Sequence, residues 1–468
     1  MNKEQTAALV AKQRAYFNSG RTLSVQARRD ALLSLRASIL RHEADLYDAL
    51  KLDLNRPKQE AFTMELYIVI NEIDYFLKHL NALCARKRVP SPAAFFKTTS
   101  YIYPEPYGIA LILSPWNYPI QLALAPLAGA IAAGNCAVVK PSEYSAHSAA
   151  VVERILTDAF LKEFVAVVRG GREENRFLLE EKFDYIFFTG SYEVGKVVMR
   201  AAAEHLTPLT LELGGKSPCL VDETANIDLA AKRIIWGKLV NGGQTCVAPD
   251  YVLVHTSVKR ALIERMKHYI ARFYGEKPLE NPNYAKIINQ KHFERLCGLM
   301  RGEHLAAGGE HLAAGGEVNP NTLQIAPAIL DEATWDSPVM REEIFGPLLP
   351  VIAYEEMEQA IAAIRARPKP LAFYFFTSDA SREKDILPRL SFGGGCVNDT
   401  LIHVGTHHLP FGGVGESGMG NYHGRTSFDA FTHYKGVAKK SLLIDLPIRF
   451  PPFREERFSF VRMLSRRK

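Results

Sequence analysis

Apolar residues recur three and four positions apart through ARRDALLSLRASILRHEADLYDALKLDL (27–54) and again through EAFTMELYIVINEIDYFLKHLNAL (60–83). That spacing predicts helices over residues 1 to about 85. From residue 100 the pattern changes. The short apolar runs GIALILSP (108–115), NCAVVKPS (135–142) and FDYIFFTG (183–190) each close on proline, a Pro-Ser pair or glycine. A helical pattern follows each one: LALAPLAGAIAA, AHSAAVVERILTDAF and EVGKVVMRAAAEHL. Repeated strand-then-helix units predict a parallel sheet wrapped by helices, an α/β fold.

A second α/β region begins near TLELGGKSP (210–218). It runs through helical ANIDLAAKRIIWGKLV, the strand YVLVHT and the helix VKRALIERMKHYIARF to about residue 390. Residues 391–424 are rich in glycine. GGVGESGMG (412–420) has no strand leading in and no helix pattern leaving, so it is expected to be an ordered irregular loop, not a phosphate loop. EHLAAGG (303–309) is repeated unchanged at 310–316. Two short copies do not build a solenoid; they are expected to form an exposed, mobile loop without catalytic role.

Composition narrows the function classes. The 468 residues are 47% hydrophobic and 23% charged, with a net charge of +6. This is a soluble globular balance with room for two or three domains. Basic clusters such as Lys87-Arg88 and the tail Arg466-Arg467-Lys468 read as solvated surface, and no stripe or motif points to nucleic acid. The six cysteines (84, 136, 219, 246, 297, 396) form no CxxC pair, so neither a zinc site nor a disulfide framework is expected. Scattered free cysteines, and an N-terminus without an apolar signal core, point to the cytoplasm. No run approaches the roughly 18 apolar residues of a membrane span. The apolar-then-basic tail FSFVRMLSRRK is expected to touch a membrane surface or a partner subunit.

The chemistry centres on NGGQTCVAPDY (241–251). Glycines give Cys246 access to a substrate, and a reactive thiol needs a base or a positive field. No histidine is near in sequence. Glu212, in LELGG among apolar neighbours, is placed to have a raised pKa, as a general base near neutrality requires. Asn117 of PWNYP can donate its amide to an oxyanion. In doubly wound sheets ligands bind at the carboxyl ends of strands. There KPSEYS brings Lys140 and Glu143 towards ribose hydroxyls, and TGSYEVGK brings Gly190, Ser191 and Gly195 to a helix start that suits a phosphate. The run IHVGTHH holds His403, His407 and His408. Gly405 and Thr406 interrupt any helix there, so loop histidines are expected and no metal.

PWNYP, VVKPSE, FTGSYEVGK, LELGGKSP, GGQTCVAPDY, EEIFGP and LPFGGVGESGMGNYHG occur in that order over residues 20–440. Together they resemble the aldehyde dehydrogenase superfamily. TCVAPDY, the short N-terminus and NYHG resemble its class 3 and fatty aldehyde dehydrogenase branch. The resemblance implies Cys246 as nucleophile, Glu212 as general base and Asn117 as oxyanion donor beside the Cys246 N–H. It implies Lys140 and Glu143 at the adenosine ribose, Gly190, Ser191 and Gly195 near the pyrophosphate, and Glu343 and Phe345 at the nicotinamide ribose and ring, with Trp116 and Leu213 completing the cofactor site. The implied cofactor is NAD, with NADP open, and the implied substrates are medium- or long-chain aliphatic or aromatic aldehydes.

The resemblance also implies a Rossmann-like cofactor domain (1–97 and 107–211), an α/β catalytic domain (212–390), and a small β oligomerisation arm with substrate-side loops (98–106 and 391–440). A C-terminal tail (441–468) completes the chain, and a homodimer is expected. Two alternatives stand beside hydrolytic aldehyde oxidation: a CoA-acylating relative, and a silent binding protein of the same fold. Glu212 argues against the first, and the intact trio of Cys246, Glu212 and Asn117 against the second.

Overall fold

The computed structural model describes residues 1–92, 95–306, 312–444 and 449–452, together with 458 and 462. The contact expected of the tail FSFVRMLSRRK falls largely outside these residues. Among them, no helix is long and apolar enough to cross a membrane, and no cluster of three or more His, Cys, Asp or Glu side chains could hold a metal ion.

The chain up to Cys84 is helical, as its periodicity predicts, with helices Lys3–Asn18, Val25–Arg41, Glu43–Leu54 and Tyr67–Cys84. One detail is not visible in the pattern: Phe62–Leu66 winds as a π-helix. The three strand-then-helix units then build a six-stranded sheet. Strands Leu209–Glu212, Tyr185–Thr189, Ile109–Leu113, Cys136–Lys140 and Val165–Val167 lie side by side in that order, all parallel. Chain order reverses between Ile109–Leu113 and Tyr185–Thr189. A crevice opens at such a switch point, because the following helices leave towards opposite faces. Helix Gln121–Ala133 is buried along every residue, which explains why LALAPLAGAIAA has no polar side.

The second region forms a seven-stranded sheet. Its order is Leu312–Ala314, Ala328–Leu330, Leu348–Tyr354, Tyr251–His255, Pro218–Val221, Ala372–Phe376 and Gly394–Val397. A separate three-stranded sheet joins Lys87–Val89, Thr98–Pro106 and Thr432–Lys440.

Three sequence expectations need correction. Gly394–Val397 was grouped with the arm but pairs in parallel with Ala372–Phe376 at the edge of the second sheet. GGVGESGMG is not wholly irregular: Gly418–Met419 adds an antiparallel strand to Leu209–Glu212. The edge of that sheet offers unpaired backbone groups, and the glycine-rich loop satisfies them. The duplication is no simple exposed loop. Helix Gln290–Ala306 takes in the start of the first copy, whereas Leu312–Ala314 of the second pairs with Ala328–Leu330, and Leu312 packs against the core. Tertiary partners, not local sequence, decide between the two; residues 307–311 of the repeat lie outside the described residues.

Candidate active site

The crevice at the switch point is a cleft of about 660 Å³ between the two sheets. Nine residues singled out from sequence line it: Trp116, Asn117, Gly190, Ser191, Glu212, Leu213, Cys246, Glu343 and Phe345. They come from five distant segments, each of which ends or follows a strand or helix, so the fold and not the sequence brings them together.

Asn117 follows strand Ile109–Leu113 by a short turn. Its Nδ2 donates to the Gln244 carbonyl at 3.1 Å, which ties it to the cysteine loop. An amide group has two N–H hydrogens, so one remains to serve an oxyanion. In the cysteine loop Asn241, Gly242 and Gly243 all have positive φ (54°, 60° and 78°). The run Asn-Gly-Gly suits this tight turn because asparagine and glycine tolerate that region. The Tyr118 and Thr245 hydroxyls, 2.7 Å apart, add a second tie between the two loops.

Cys246 is half-buried. Burial first, and then the carboxylates of Glu343 and Glu212, push its thiol up to about 12, against the backbone N–H groups of Cys246 and Val247. The protein alone therefore keeps this sulfur protonated near neutral pH. Once ionised, the two neighbouring carboxylates oppose the thiolate, the reverse of the positive field that reactivity asks for.

Glu212 ends strand Leu209–Glu212 and is 3% exposed. Neither carboxylate oxygen has a hydrogen-bond partner, and burial raises its pKa well above the usual carboxylate value. An unpartnered buried carboxyl facing a cleft is a strong sign of chemistry, since structural carboxylates are bonded. Glu343 is pushed up to about 8 by burial and by Asp250, while the Gly215 N–H, Lys216 and Arg295 draw it down.

Phe345 stands beside Glu343 with φ 51°, a strained setting for an aromatic residue. The surroundings hold it there. Asp250 accepts from the Ile344 N–H, and Arg295 donates to the Ile344 carbonyl at 2.6 Å. Lys216 binds Asp250 and the carbonyls of Val339 and Glu342. The Phe345 ring meets Trp116 edge-on at 5.4 Å.

The remaining three residues lie just beyond the cleft wall. Lys140 ends the strand next to Ile109–Leu113 and is buried, which lowers its pKa. Glu143 is exposed on the following loop, and a side chain at Gly171 would collide with its carboxylate. Gly195 lies in helix Tyr192–His205, where an added Cβ would stand 2.7 Å from Leu213 Cδ2. Its lack of a side chain lets the helix start sit close to the LELGG turn.

Sequence reasoning missed the frame around these groups: Arg56, Glu60, Glu65, Tyr118, Asn241, Gln244, Lys216, Asp250 and Tyr422. Tyr422 is buried on the cleft wall and its hydroxyl accepts from Gln121 at 3.4 Å. The left-handed NGG turn carried a signal for Asn241. Arg56, by contrast, sits in a polar stretch that reads as surface.

The family model described as "Aldehyde dehydrogenase family" matches residues 1–437. The chain belongs to that family, in its class 3 branch. It is an aldehyde dehydrogenase in fold and lineage. The 4,4'-diaponeurosporen-aldehyde dehydrogenase of Staphylococcus aureus (strain NCTC 8325 / PS 47) is 45% identical to it over 94% of this chain and 95% of its own. The dimeric NADP-preferring aldehyde dehydrogenase of Canis lupus familiaris is 44% identical, over 95% and 97% of the two chains. A solved structure of Staphylococcus aureus AldH in a substrate-bound state superposes with a TM-score of 0.95 at 44% identity, covering 98% of this chain and 99% of that one.

Proposed function

We propose that this dehydrogenase oxidises apolar aldehydes to carboxylic acids through a covalent bond to Cys246, with Glu212 as general base and Asn117 as oxyanion donor. The observation that carries this reading is the convergence of an accessible thiol, an amide with a free N–H and an unpartnered carboxyl in one cleft at the switch point.

Gly190, Ser191 and Gly195 would hold a dinucleotide's pyrophosphate. Ser191 caps helix Tyr192–His205 without a side-chain hydrogen bond to its first turn, which leaves backbone N–H groups free for an anion. Lys140 and Glu143 would hold the adenosine ribose, and Glu343 and Phe345 the nicotinamide end, with Trp116 and Leu213 beside them. A bound nicotinamide cofactor supplies the hydride acceptor. The Cys246 thiol gives up its proton to water and adds as the thiolate to the carbonyl carbon, and the Asn117 amide and the Cys246 N–H hold the oxyanion. Once the substrate is oxidised, Cys246 carries the acyl group as a thioester. Glu212 takes a proton from water, which attacks the thioester and frees the acid. A base for water favours hydrolysis over transfer to CoA.

NAD is the cofactor we infer as preferred, because the Glu143 carboxylate can accept from a ribose 2′-hydroxyl and repels a 2′-phosphate. The canine relative's NADP preference makes NADP the competing outcome. An apolar aldehyde is favoured by the apolar side chains of Leu122, Phe411 and Tyr422 on the cleft wall. A homodimer is favoured by the long exposed strand Thr432–Lys440 and by the canine relative's description as dimeric; size-exclusion chromatography giving a monomer would contradict it. We place the cofactor domain at 1–97 and 107–211 and the catalytic domain at 212–390.

The test is NADH or NADPH formation from a panel of aliphatic and aromatic aldehydes, with and without CoA. Acid production with Cys246→Ala inactive supports the reading. Acyl-CoA as product, or no turnover with any aldehyde, overturns it.

A further inference from the structure

Arg56 is 1% exposed. It lies between helices Glu43–Leu54 and Lys58–Ala61, and no substrate atom would reach it. Both terminal nitrogens of its guanidinium are nevertheless held. Nη1 pairs with Glu65, whose side chain is also wholly buried. Nη2 donates to the backbone carbonyl of Asn117 at 2.5 Å. Nε faces Glu60 at 3.5 Å, and the guanidinium lies over the Tyr118 ring, 4.6 Å from its centre.

The partners close a ring around Asn117. The second oxygen of Glu65 accepts from the N–H groups of Ile120 at 2.7 Å and Gln121 at 3.0 Å. Arg56 and Glu65 thus hold both ends of the short segment from Asn117 to Gln121. Glu60 accepts from the Asn241 N–H at 2.9 Å. Asn241 Nδ2 donates to the same Asn117 carbonyl at 2.9 Å and to the Gln244 carbonyl at 3.1 Å. The Gln244 carbonyl is the one the Asn117 amide meets. Glu65 sits in the π-helical turn, a rare geometry that recurs at functional sites.

A buried ion pair is a poor stabilising device, because well-packed apolar residues of similar volume do as well or better. What it provides is direction: a planar fork fixes two acceptors at once. We propose that Arg56, braced by Glu65 and seconded by Asn241, is a positioning residue that clamps the Asn117 carbonyl and so fixes the Asn117 amide at the oxyanion position. The proposal rests on the reading of Asn117 as oxyanion donor.

The experiment is a double-mutant cycle on the full chain, with benzaldehyde and NAD as probes. Arg56→Lys keeps a charge opposite Glu65 but loses the fork. Asn117→Ala keeps the clamped carbonyl but removes the amide. Arg56→Lys is expected to lower kcat roughly ten- to a hundredfold, with the KM for NAD within about twofold, and to add nothing in the Asn117→Ala background. Asn241→Gly tolerates the left-handed backbone and removes the second donor, so it gives the same readout should Arg56→Lys not fold. Losses that multiply in the double variants, or wild-type kcat in a folded Arg56→Lys or Asn241→Gly, overturn the clamp alone. Wild-type kcat in Asn117→Ala overturns the oxyanion assignment and the clamp with it.

Discussion

The carboxylate of Glu343 rests directly on Gly214: a side chain at that glycine would overlap it. The LELGG turn therefore needs its first glycine for the sake of a residue 129 positions later. Gly214→Ala is expected to displace Glu343 and to raise the KM for NAD by about tenfold or more, the cost of a misplaced binding group. Initial rates at varied NAD, with a thermal melt to confirm folding, check this.

The thiol of Cys246 is pushed up to about 12 in the protein alone. Only the thiolate alkylates, so labelling by iodoacetamide without cofactor should be slow at pH 7 and rise roughly tenfold per pH unit to about pH 10. Glu343→Gln removes a neighbour that is ionised above about pH 8, so it should speed labelling from pH 8 to 10 and change it little at pH 7. Mass spectrometry of the peptide containing residue 246 reads both.

As the proposed base, Glu212 would have to be deprotonated to draw a proton from water, yet burial favours its neutral form. Turnover limited by thioester hydrolysis should therefore rise with pH. Glu212→Gln should give one burst of NADH per active site, then turnover slowed at least a hundredfold and no longer dependent on that ionisation. Stopped-flow absorbance separates burst from steady state; an unchanged steady rate counts against Glu212.

Glu72 lies outside the chemistry but holds the segment that carries Tyr422. It is 2% exposed and accepts from the Gly424 N–H and the Ser427 hydroxyl, with His423 Nδ1 4.0 Å away. Burial pushes it up to about 7 from its ordinary 4.5, against those two donors. A raised folded-state pKa gives stability that is complete below the unfolded value and is lost as pH rises through the folded one. Glu72→Gln cannot ionise, so its stability relative to wild type should grow from pH 5 to 7 and level off above 8. The span is on the order of 2–3 kcal/mol. Denaturant melts across that range check it.

Periodicity sufficed for the helices and the parallel strands, because buried strands and amphipathic helices carry their environment in their spacing. The motif residues were legible because each needs a particular side chain at a strand end or tight turn. The supporting frame was not. Arg56 reads as surface until Glu65 and the Asn117 carbonyl enclose it, and nothing local marks Glu65 within the helical run 60–83. Identical EHLAAGG copies enter a helix and a strand because different partners await them. The raised pKa of the Cys246 thiol was equally hidden, since burial and the distant Glu212 and Glu343 produce it.

The edge beside Glu212 is finished by residues made some two hundred positions later: the Ser417 carbonyl accepts from the Leu213 N–H, and Gly418 pairs with Glu212. Thr98–Pro106 likewise waits for Thr432–Lys440. During synthesis Cys246 and Glu212 emerge well before the segment that completes the strand edge at Glu212. A chain still on the ribosome, or cut short before that point, would hold the proposed nucleophile and base yet leave the strand edge beside Glu212 unfinished.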